Sequence, residues 1–125
     1  MTIRLEDDLP FVIVTVTYNG QSIELENVLL DTGSAGTAFS IARLLEIGLE
    51  VALGDPIHRI RGVGGAEFVF MKTLDALIIG ETVLEQVEIE VGALEYGLPL
   101  DGILGMDCLL RVGFVIDLAT LELRR

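Results

Sequence analysis

The chain has 125 residues, of which 51% are hydrophobic, and a formal net charge of −12. This length predicts one domain, residues 1–125, with a core that folds without disulfides or metals. The acidity argues against nucleic-acid partners and anionic membrane surfaces, because both require a basic face. A single cysteine, Cys108, and a single histidine, His58, exclude an intrachain disulfide and any zinc site built from several such ligands.

Targeting signals are absent from the sequence pattern. No stretch reaches the roughly 20 apolar residues that a membrane-spanning helix requires. Residues 1–8 lack the basic start and the apolar stretch of a signal peptide. We therefore expect a cytoplasmic protein without a membrane partner, although a longer parent chain with a leader is compatible with this sequence.

The first half of the chain predicts a hairpin and a short helix. Asn19-Gly20, the strongest short hairpin signal, separates two apolar, β-branched stretches. Ser40 is placed to cap the helix, and Gly48 is placed to end it. The predicted elements are strands over 11–17 and 23–30 and a helix over 41–47.

The second half predicts mostly strands, with turns at short intervals. Gly113 is placed to end a second short helix. The predicted elements are strands over 57–60, 67–71, 74–79 and 83–91, a helix over 106–112, and a last hairpin with strands over 114–117 and 121–123. The pattern predicts an all-β fold, either a barrel or a closed sandwich, with two short helices.

Two apolar strands end in a glycine turn, at Asp31-Thr32-Gly33 and at Ile103-Leu104-Gly105. A carboxylate at the end of a buried strand is unusual, because carboxylates are seldom buried unless they are paired or hydrogen-bonded. The turn that begins at Thr32 offers backbone N–H groups and hydroxyls to that carboxylate. Asp31 is therefore the strongest candidate for chemistry in the chain.

The stretch 29–35, Leu-Leu-Asp-Thr-Gly-Ser-Ala, resembles the active-site loop of aspartic peptidases. Residues 103–105, Ile-Leu-Gly, resemble the apolar-apolar-glycine element that packs behind that loop. Residues 62–65 lie where retroviral-type proteases carry their flap. The resemblance covers residues 11–117, and it implies a retropepsin-like closed β-barrel, the acid-protease fold, with one or two short helices.

Peptide hydrolysis by carboxylates needs one carboxylate to activate water and another to protonate the carbonyl oxygen. The sequence holds one loop of this kind, so a two-fold homodimer would supply the second Asp31. Two carboxylates about 3 Å apart share a proton, which makes one the base and the other the acid. The resemblance thus implies an aspartic endopeptidase that acts as a homodimer on polypeptides, without a metal or cofactor.

The resemblance also implies roles for the neighbours of Asp31. Thr32 would hydrogen-bond across the dimer, and Gly33 would line the cleft and offer its carbonyl to the substrate. Ser34 stands where retroviral enzymes usually have alanine, and we expect its hydroxyl to donate to the Asp31 carboxylate. The candidate substrate-binding residues are Gly62, Val63, Gly64, Gly65, Ile103 and Leu104.

The sequence departs from the retroviral pattern at one ion pair. Ala35 and Gly36 replace two acidic residues, and Met106 replaces the arginine that pairs with the first of them. Both partners are absent together, so no charge is left buried without a partner. This difference indicates a cellular or bacterial branch of the fold.

Other interpretations remain open at this stage. The same fold can serve as a non-catalytic dimerisation or peptide-binding module, and a small barrel unrelated to peptidases can carry Asp31 in a turn. Residues 62–65 also fit an ordinary hairpin turn. We expect structural roles for the remaining polar residues: Asp101 in a turn, Asp107 at a helix start, His58 on a strand surface and Cys108 in the core.

Overall fold

A computed structural model describes the backbone of residues 1–62 and 65–125 and the side chains of residues 1–57 and 69–125. Strands dominate, as predicted. The strands are β1 (Arg4–Glu6), β2 (Leu9–Tyr18), β3 (Gln21–Leu30), β4 (Ala38–Ser40), β5 (Ile57–Gly62), β6 (Gly65–Ile79), β7 (Thr82–Gly92), β8 (Gly102–Leu104), β9 (Val115–Asp117) and β10 (Glu122–Arg124). The helices are α1 (Ile41–Leu44), which a 3-10 turn over Leu45–Ile47 continues, and α2 (Met106–Val112).

The hairpin of β2 and β3 forms as the sequence predicts. Asn19 has φ 50° and Gly20 has φ 81°, so both turn residues are left-handed. This is the backbone of a type I′ turn, which matches the twist of paired strands and which Asn-Gly favours. The turn places Tyr18 opposite Gln21 and so determines the register of β3.

In the described part of the chain, eight strands form one sheet in the order β1-β2-β3-β8-β4-β7-β6-β5, and β2 also pairs with β6. Short β8 lies between β3 and β4. It runs parallel to β3, with Leu30 opposite Leu104, and antiparallel to β4, with Ala38 opposite Ile103. The parallel pairing brings the ends of β3 and β8 side by side, and the loop with Asp31 begins there.

Two strand predictions differ from the structure. The stretches 67–71 and 74–79 belong to one strand, β6, because it keeps partners along its length: β5 and then β2 on one side, β7 on the other. The three-residue strands β1 and β4 were not predicted, because three residues carry no measurable alternation. The apolar strand predicted before Gly105 is found as β8.

The helix over 41–47 is found, but its start differs from the prediction. Ser40 occupies the N-cap position, yet its side chain makes no capping hydrogen bond. Ser40 already belongs to β4, where its N–H donates to Asp101. Gly48 ends the 3-10 turn with φ 78°, as its left-handed freedom allows.

The apolar side chains form a main core and a smaller cluster. The main core contains completely buried residues such as Leu25, Phe39 and Leu74. The smaller cluster consists of Phe11, Ala38, Leu94, Leu100 and Ile103. In the part of the chain that the structure describes, no helix has the length and apolar composition needed to cross a membrane.

Candidate active site

Asp31 lies immediately after β3 and is half-buried. Its N–H donates to the Leu104 carbonyl at 3.0 Å, and its own carbonyl accepts the Ser34 N–H at 3.2 Å. The first contact continues the parallel pairing of β3 with β8, and the second closes a tight turn. The candidate residue is therefore anchored by backbone contacts on both sides.

The Asp31 carboxylate is held by the turn that follows it. The Gly33 N–H donates to Asp31 Oδ1 at 2.9 Å. A Cβ on Gly33 would lie 3.2 Å from the same oxygen, so glycine allows this close approach. Thr32 and Gly33 are both exposed. The loop thus presents its tip and one side of the carboxylate outward.

The Ser34 hydroxyl does not make the contact that we expected. Ser34 Oγ donates to the Gly36 carbonyl at 2.8 Å. A hydroxyl has one proton, so this bond leaves none for the Asp31 carboxylate. Serine commonly bonds the backbone two residues further on, and this local bond prevails over the one predicted from the resemblance. Ser34 supports the shape of the loop.

The start of α2 packs onto the same loop. The Met106 N–H donates to the Ser34 carbonyl at 2.8 Å, and the Asp107 N–H donates to the Ala35 carbonyl at 3.2 Å. The first N–H groups of a helix have no partner inside the helix, so the loop carbonyls satisfy them. The loop after Asp31 and the helix after β8 therefore complete one another.

Gly105 allows this contact. A Cβ on Gly105 would lie 2.2 Å from the Gly36 carbonyl oxygen and 2.9 Å from the Ser34 carbonyl oxygen. No side chain fits there, because both neighbours are backbone atoms. Glycine is thus required at the end of Ile103-Leu104-Gly105 for a steric reason, which the sequence pattern alone does not reveal.

The sequence analysis missed the link between Thr37 and Asp107. Asp107 does accept the Cys108 N–H at 2.7 Å, as its predicted place at a helix start implies. Its carboxylate also accepts the hydroxyl and the N–H of Thr37. No local pattern joins residues so distant in sequence, so only the fold reveals this pair.

A cleft of about 480 Å³ opens beside Asp31. Its polar lining includes Asp31, Ser34, Glu90 and Tyr96. The apolar lining consists of Leu29, Ala35, Ala38, Val69, Leu94, Leu98, Leu100 and Ile103. One carboxylate on a tight turn therefore faces a groove that is mainly apolar.

The two predicted residues of β8 have different environments. Ile103 lines the cleft. Leu104 is 0% exposed and belongs to the main core, so its side chain cannot contact a substrate. Successive side chains of a strand point to opposite faces, which separates these neighbours. The prediction for Leu104 is wrong, and only its carbonyl serves the site, through Asp31.

The loop between β7 and β8 forms one wall of the cleft, which the sequence analysis did not predict. Leu94 is 3% exposed, whereas Tyr96 is 52% exposed at the edge of the cleft. A bridge between Glu95 and Pro99 folds the loop back on itself. The apolar residues at alternate positions of this loop were a signal for the wall. The conformation of a loop of this length, however, cannot be predicted from its sequence alone.

The predicted flap lies partly outside the described residues. Gly62 and Gly65 pair with each other at the ends of β5 and β6. Val63 and Gly64 lie outside the residues that the structure describes. The function of 62–65 as a flap stays a prediction. The side chain of His58 also lies outside the described residues, so its place on a strand surface stays a prediction as well.

Structural roles are confirmed for Asp101 and Cys108. Asp101 Oδ2 accepts the Asn27 N–H at 3.1 Å, and Oδ1 lies 3.4 Å from Arg43 Nε. Cys108 is 2% exposed, and burial raises the pKa of its thiol. A buried thiol with a raised pKa is a poor nucleophile. Neither residue takes part in the cleft.

A second cavity lies outside the cleft. It has a volume of about 360 Å³ and lies near the chain ends, beside Met1, Phe114 and Leu123. It lies apart from the Asp31 loop. Among the side chains that the structure describes, no three of His, Cys, Asp or Glu come together as a metal site would require.

The comparisons with known proteins agree with this geometry. The chain is similar to the crystal structure of a retropepsin-like aspartic protease from Rickettsia conorii, with 24% identity and a TM-score of 0.68 over 93% of this chain and 82% of that chain. No curated protein matches the sequence. The profile of the aspartyl protease family matches residues 14–108, which include the Asp31 loop and the start of α2. The chain therefore belongs to the aspartyl protease family and has the retropepsin-like fold.

Proposed function

We propose that this protein is an aspartic endopeptidase that acts as a homodimer, with the paired Asp31 carboxylates activating water. The observation that carries the proposal is the Asp31 carboxylate, held at 2.9 Å by the Gly33 N–H at the wall of an apolar cleft. Membership of the aspartyl protease family supports the reaction class. Thr32 and Gly33 complete the catalytic loop, and Ser34 supports its shape.

The dimer follows from the number of carboxylates that the reaction needs. One chain supplies one Asp31 loop, and its tip at Thr32 and Gly33 is exposed in the single chain. A two-fold axis beside an exposed tip brings the same residues of two chains together. In the dimer, Thr32 of each chain would hydrogen-bond to the opposite loop.

In such a dimer the two carboxylates lie about 3 Å apart and share one proton. The ionised Asp31 takes a proton from water as the water oxygen attacks the peptide carbonyl carbon. The protonated Asp31 donates its proton to the carbonyl oxygen, which gives a neutral tetrahedral intermediate. The intermediate then collapses: the ionised Asp31 takes a proton from one of its hydroxyls as the carbonyl re-forms, the protonated Asp31 gives its proton to the leaving nitrogen, and the C–N bond breaks to give a carboxylic acid and an amine. No metal or cofactor takes part in this mechanism.

The substrate would be an extended polypeptide lying along the cleft. Leu94, Leu100 and Ile103 form an apolar wall that suits an apolar side chain. The Gly33 carbonyl would accept a backbone N–H of the substrate. Residues 62–65 at the end of the β5–β6 hairpin would close over the peptide and exclude water.

We also infer that the sheet closes into a barrel. The additional pairing of β2 with β6 supports this closure, because it joins two strands that lie far apart in the order of the sheet. This pairing adds hydrogen bonds between residues 14–17 and 76–79 and so strengthens the platform on which β3 and β8 hold Asp31. Residues 1–125 would then form one domain.

The test is cleavage of an unfolded protein across about pH 3 to 7, where paired carboxylates share a proton. We expect cleavage by the wild type and loss of at least about a thousandfold in Asp31→Asn, because the variant lacks the base. Asp8→Asn, an exposed carboxylate on the β1–β2 turn, is the matched control. A wild type that dimerises but cleaves nothing, or an Asp31→Asn variant with full activity, contradicts the proposal. A wild type that cleaves nothing but still binds the peptide would favour a binding module.

A further inference from the structure

A hydrogen-bond network joins the first turn of α2 to the loop that follows Asp31. Thr37 is 0% exposed. Its Oγ1 donates to Asp107 Oδ1 at 2.6 Å, and its N–H donates to Asp107 Oδ2 at 3.1 Å. Asp107 Oδ1 also accepts the Cys108 N–H at 2.7 Å. One carboxylate thus accepts hydrogen bonds from both donors of a buried threonine.

The direction of these bonds is determined by the donors. The Gly105 N–H donates to Thr37 Oγ1 at 3.0 Å. A backbone N–H can only donate, so the threonine oxygen accepts this bond and turns its single proton toward Asp107. Thr37 therefore relays a contact from the Gly105 backbone to the Asp107 carboxylate. On its other side, the Thr37 carbonyl accepts the Glu90 N–H of β7 at 2.9 Å.

The network is one end of a longer set of contacts between a loop segment, 31–37, and a helix segment, 104–108. We call this set of contacts the clamp. Backbone hydrogen bonds link the two segments at three points before Thr37 is reached. They run from N–H to carbonyl as Asp31 to Leu104, Met106 to Ser34 and Asp107 to Ala35. Gly36 and Gly105 meet backbone to backbone in the middle. The Thr37–Asp107 pair is the side-chain contact that locks this clamp.

Asp107 can hold Thr37 without an ion pair to a cationic side chain. In the part of the chain that the structure describes, the five ion pairs involve other residues. Asp107 itself is exposed, so its charge keeps contact with water while its oxygens reach the buried Thr37. The ion pair of the retroviral pattern is absent, since Ala35 and Met106 carry no charge. The charge-assisted hydrogen bond between Thr37 and Asp107 therefore adds a side-chain contact to the three backbone hydrogen bonds of the clamp.

We propose that Thr37 and Asp107 are positioning residues for the Asp31 carboxylate. The inference rests on the proposed peptidase function. The tip of the loop, Thr32 and Gly33, is exposed, so the fold holds it through the segment behind it. A shift of about 1 Å in a reacting group costs roughly a hundredfold in rate. Loss of the pair lets the loop segment move and misplaces Asp31.

The first test compares three variants of the full chain in the cleavage assay. Thr37→Val removes the hydroxyl at nearly constant volume, and we expect kcat to fall about a hundredfold while KM changes less than about threefold. Thr37→Ser keeps the hydroxyl and should retain kcat within about threefold of the wild type. Asp107→Ala removes the acceptor of the Thr37 hydrogen bonds and should reproduce the loss seen in Thr37→Val.

The second test needs no substrate. Amide hydrogen exchange measures how well two N–H groups of the loop are protected. The Asp31 N–H donates to the Leu104 carbonyl, and the Gly33 N–H donates to the Asp31 carboxylate. We expect at least about tenfold faster exchange at both in Asp107→Ala, with the Leu25 amide of β3 unchanged. Asp107→Ala also keeps the test open if Thr37→Val fails to fold.

The outcomes separate the two proposals. A wild type without cleavage, together with faster exchange in Asp107→Ala, refutes the peptidase function and supports the positioning pair. A cleaving wild type with unchanged kcat and exchange in Asp107→Ala overturns the positioning pair. Faster exchange across the whole chain, or a loss confined to KM, also overturns it, because either result indicates a general structural or binding role.

Discussion

The Asp31 N–H and the Leu104 carbonyl are joined by a hydrogen bond of 3.0 Å. This bond extends the parallel pairing of β3 and β8 by one residue beyond Leu30. Parallel strands require a long connection, so the two partners are distant in sequence and come together only in the folded sheet. The position of the candidate catalytic residue therefore depends on the integrity of β8.

Gly105→Ala should destabilise the protein by about 3 kcal/mol or more, because the new Cβ would meet fixed backbone atoms. That Cβ would lie 2.2 Å from the Gly36 carbonyl oxygen. Urea unfolding measures the free-energy change. Gly113→Ala is the control: its φ of 78° adds strain, but nothing lies within 4 Å of the new Cβ. The control should lose only about 1 kcal/mol, and equal losses would contradict the steric explanation.

Thr32→Val should weaken the proposed dimer without unfolding the chain. The residue is exposed in the single chain, so its hydroxyl contributes little to the fold of one protomer. Loss of two symmetry-related hydrogen bonds, each worth about 1 kcal/mol, raises the dissociation constant roughly thirtyfold. Sedimentation velocity over a concentration series measures it. Thr73→Val, also exposed, is the control; an unchanged dissociation constant in Thr32→Val would exclude Thr32 from the interface.

The Asp55 carboxyl should make the free energy of unfolding depend on pH. The Ala52 N–H and the Lys72 ammonium hold the pKa of the Asp55 carboxyl below its ordinary value of 3.8. A lowered pKa in the folded state means that the stabilisation is complete at higher pH and disappears as pH falls through the folded pKa. The free energy of unfolding of the wild type should therefore exceed that of Asp55→Asn at neutral pH, and the difference should shrink below the ordinary pKa.

Urea unfolding over a pH series measures this difference. Lys72→Met is an informative second variant, because it removes the ion pair of 2.9 Å but leaves the Ala52 N–H in place. The backbone hydrogen bond is the larger cause of the lowered pKa. We therefore expect Lys72→Met to keep part of the acid dependence. A difference between wild type and Asp55→Asn that grows on acidification would show that the sign is wrong.

Phe39→Ala should cost about 3 to 5 kcal/mol, because a large buried ring is replaced by a cavity. Phe39 is 0% exposed, and its ring covers the backbone of Gly102 in β8, where a Cβ would lie 2.5 Å from the ring. Thermal and urea unfolding measure the loss. Leu53→Ala, at a fully exposed site, should change stability by less than about 0.5 kcal/mol. Similar effects of the two variants would be inconsistent with a core role for Phe39.

Local signals in the sequence were sufficient for several elements. Asn19-Gly20 predicted the β2–β3 hairpin, because a type I′ turn depends on two adjacent residues. Gly48 and Gly113 predicted the ends of both helices, because each needs only a left-handed residue at that point. The Asp31 loop was also visible, since an aspartate directly after an apolar strand is rare.

Long-range contacts decided the rest. Leu104 and the Thr37–Asp107 pair depend on what the fold places beside them, which no local pattern contains. Leu104 turns its side chain into the core, and Asp107 reaches Thr37 across the loop. Ser34 is a different case, because its bond to the Gly36 carbonyl is local. The sequence by itself determined the chemistry-bearing loop and the strand-rich fold, because both follow from neighbouring residues. The tertiary structure alone decided how that loop is held, because its supports come from β8 and α2, distant in sequence.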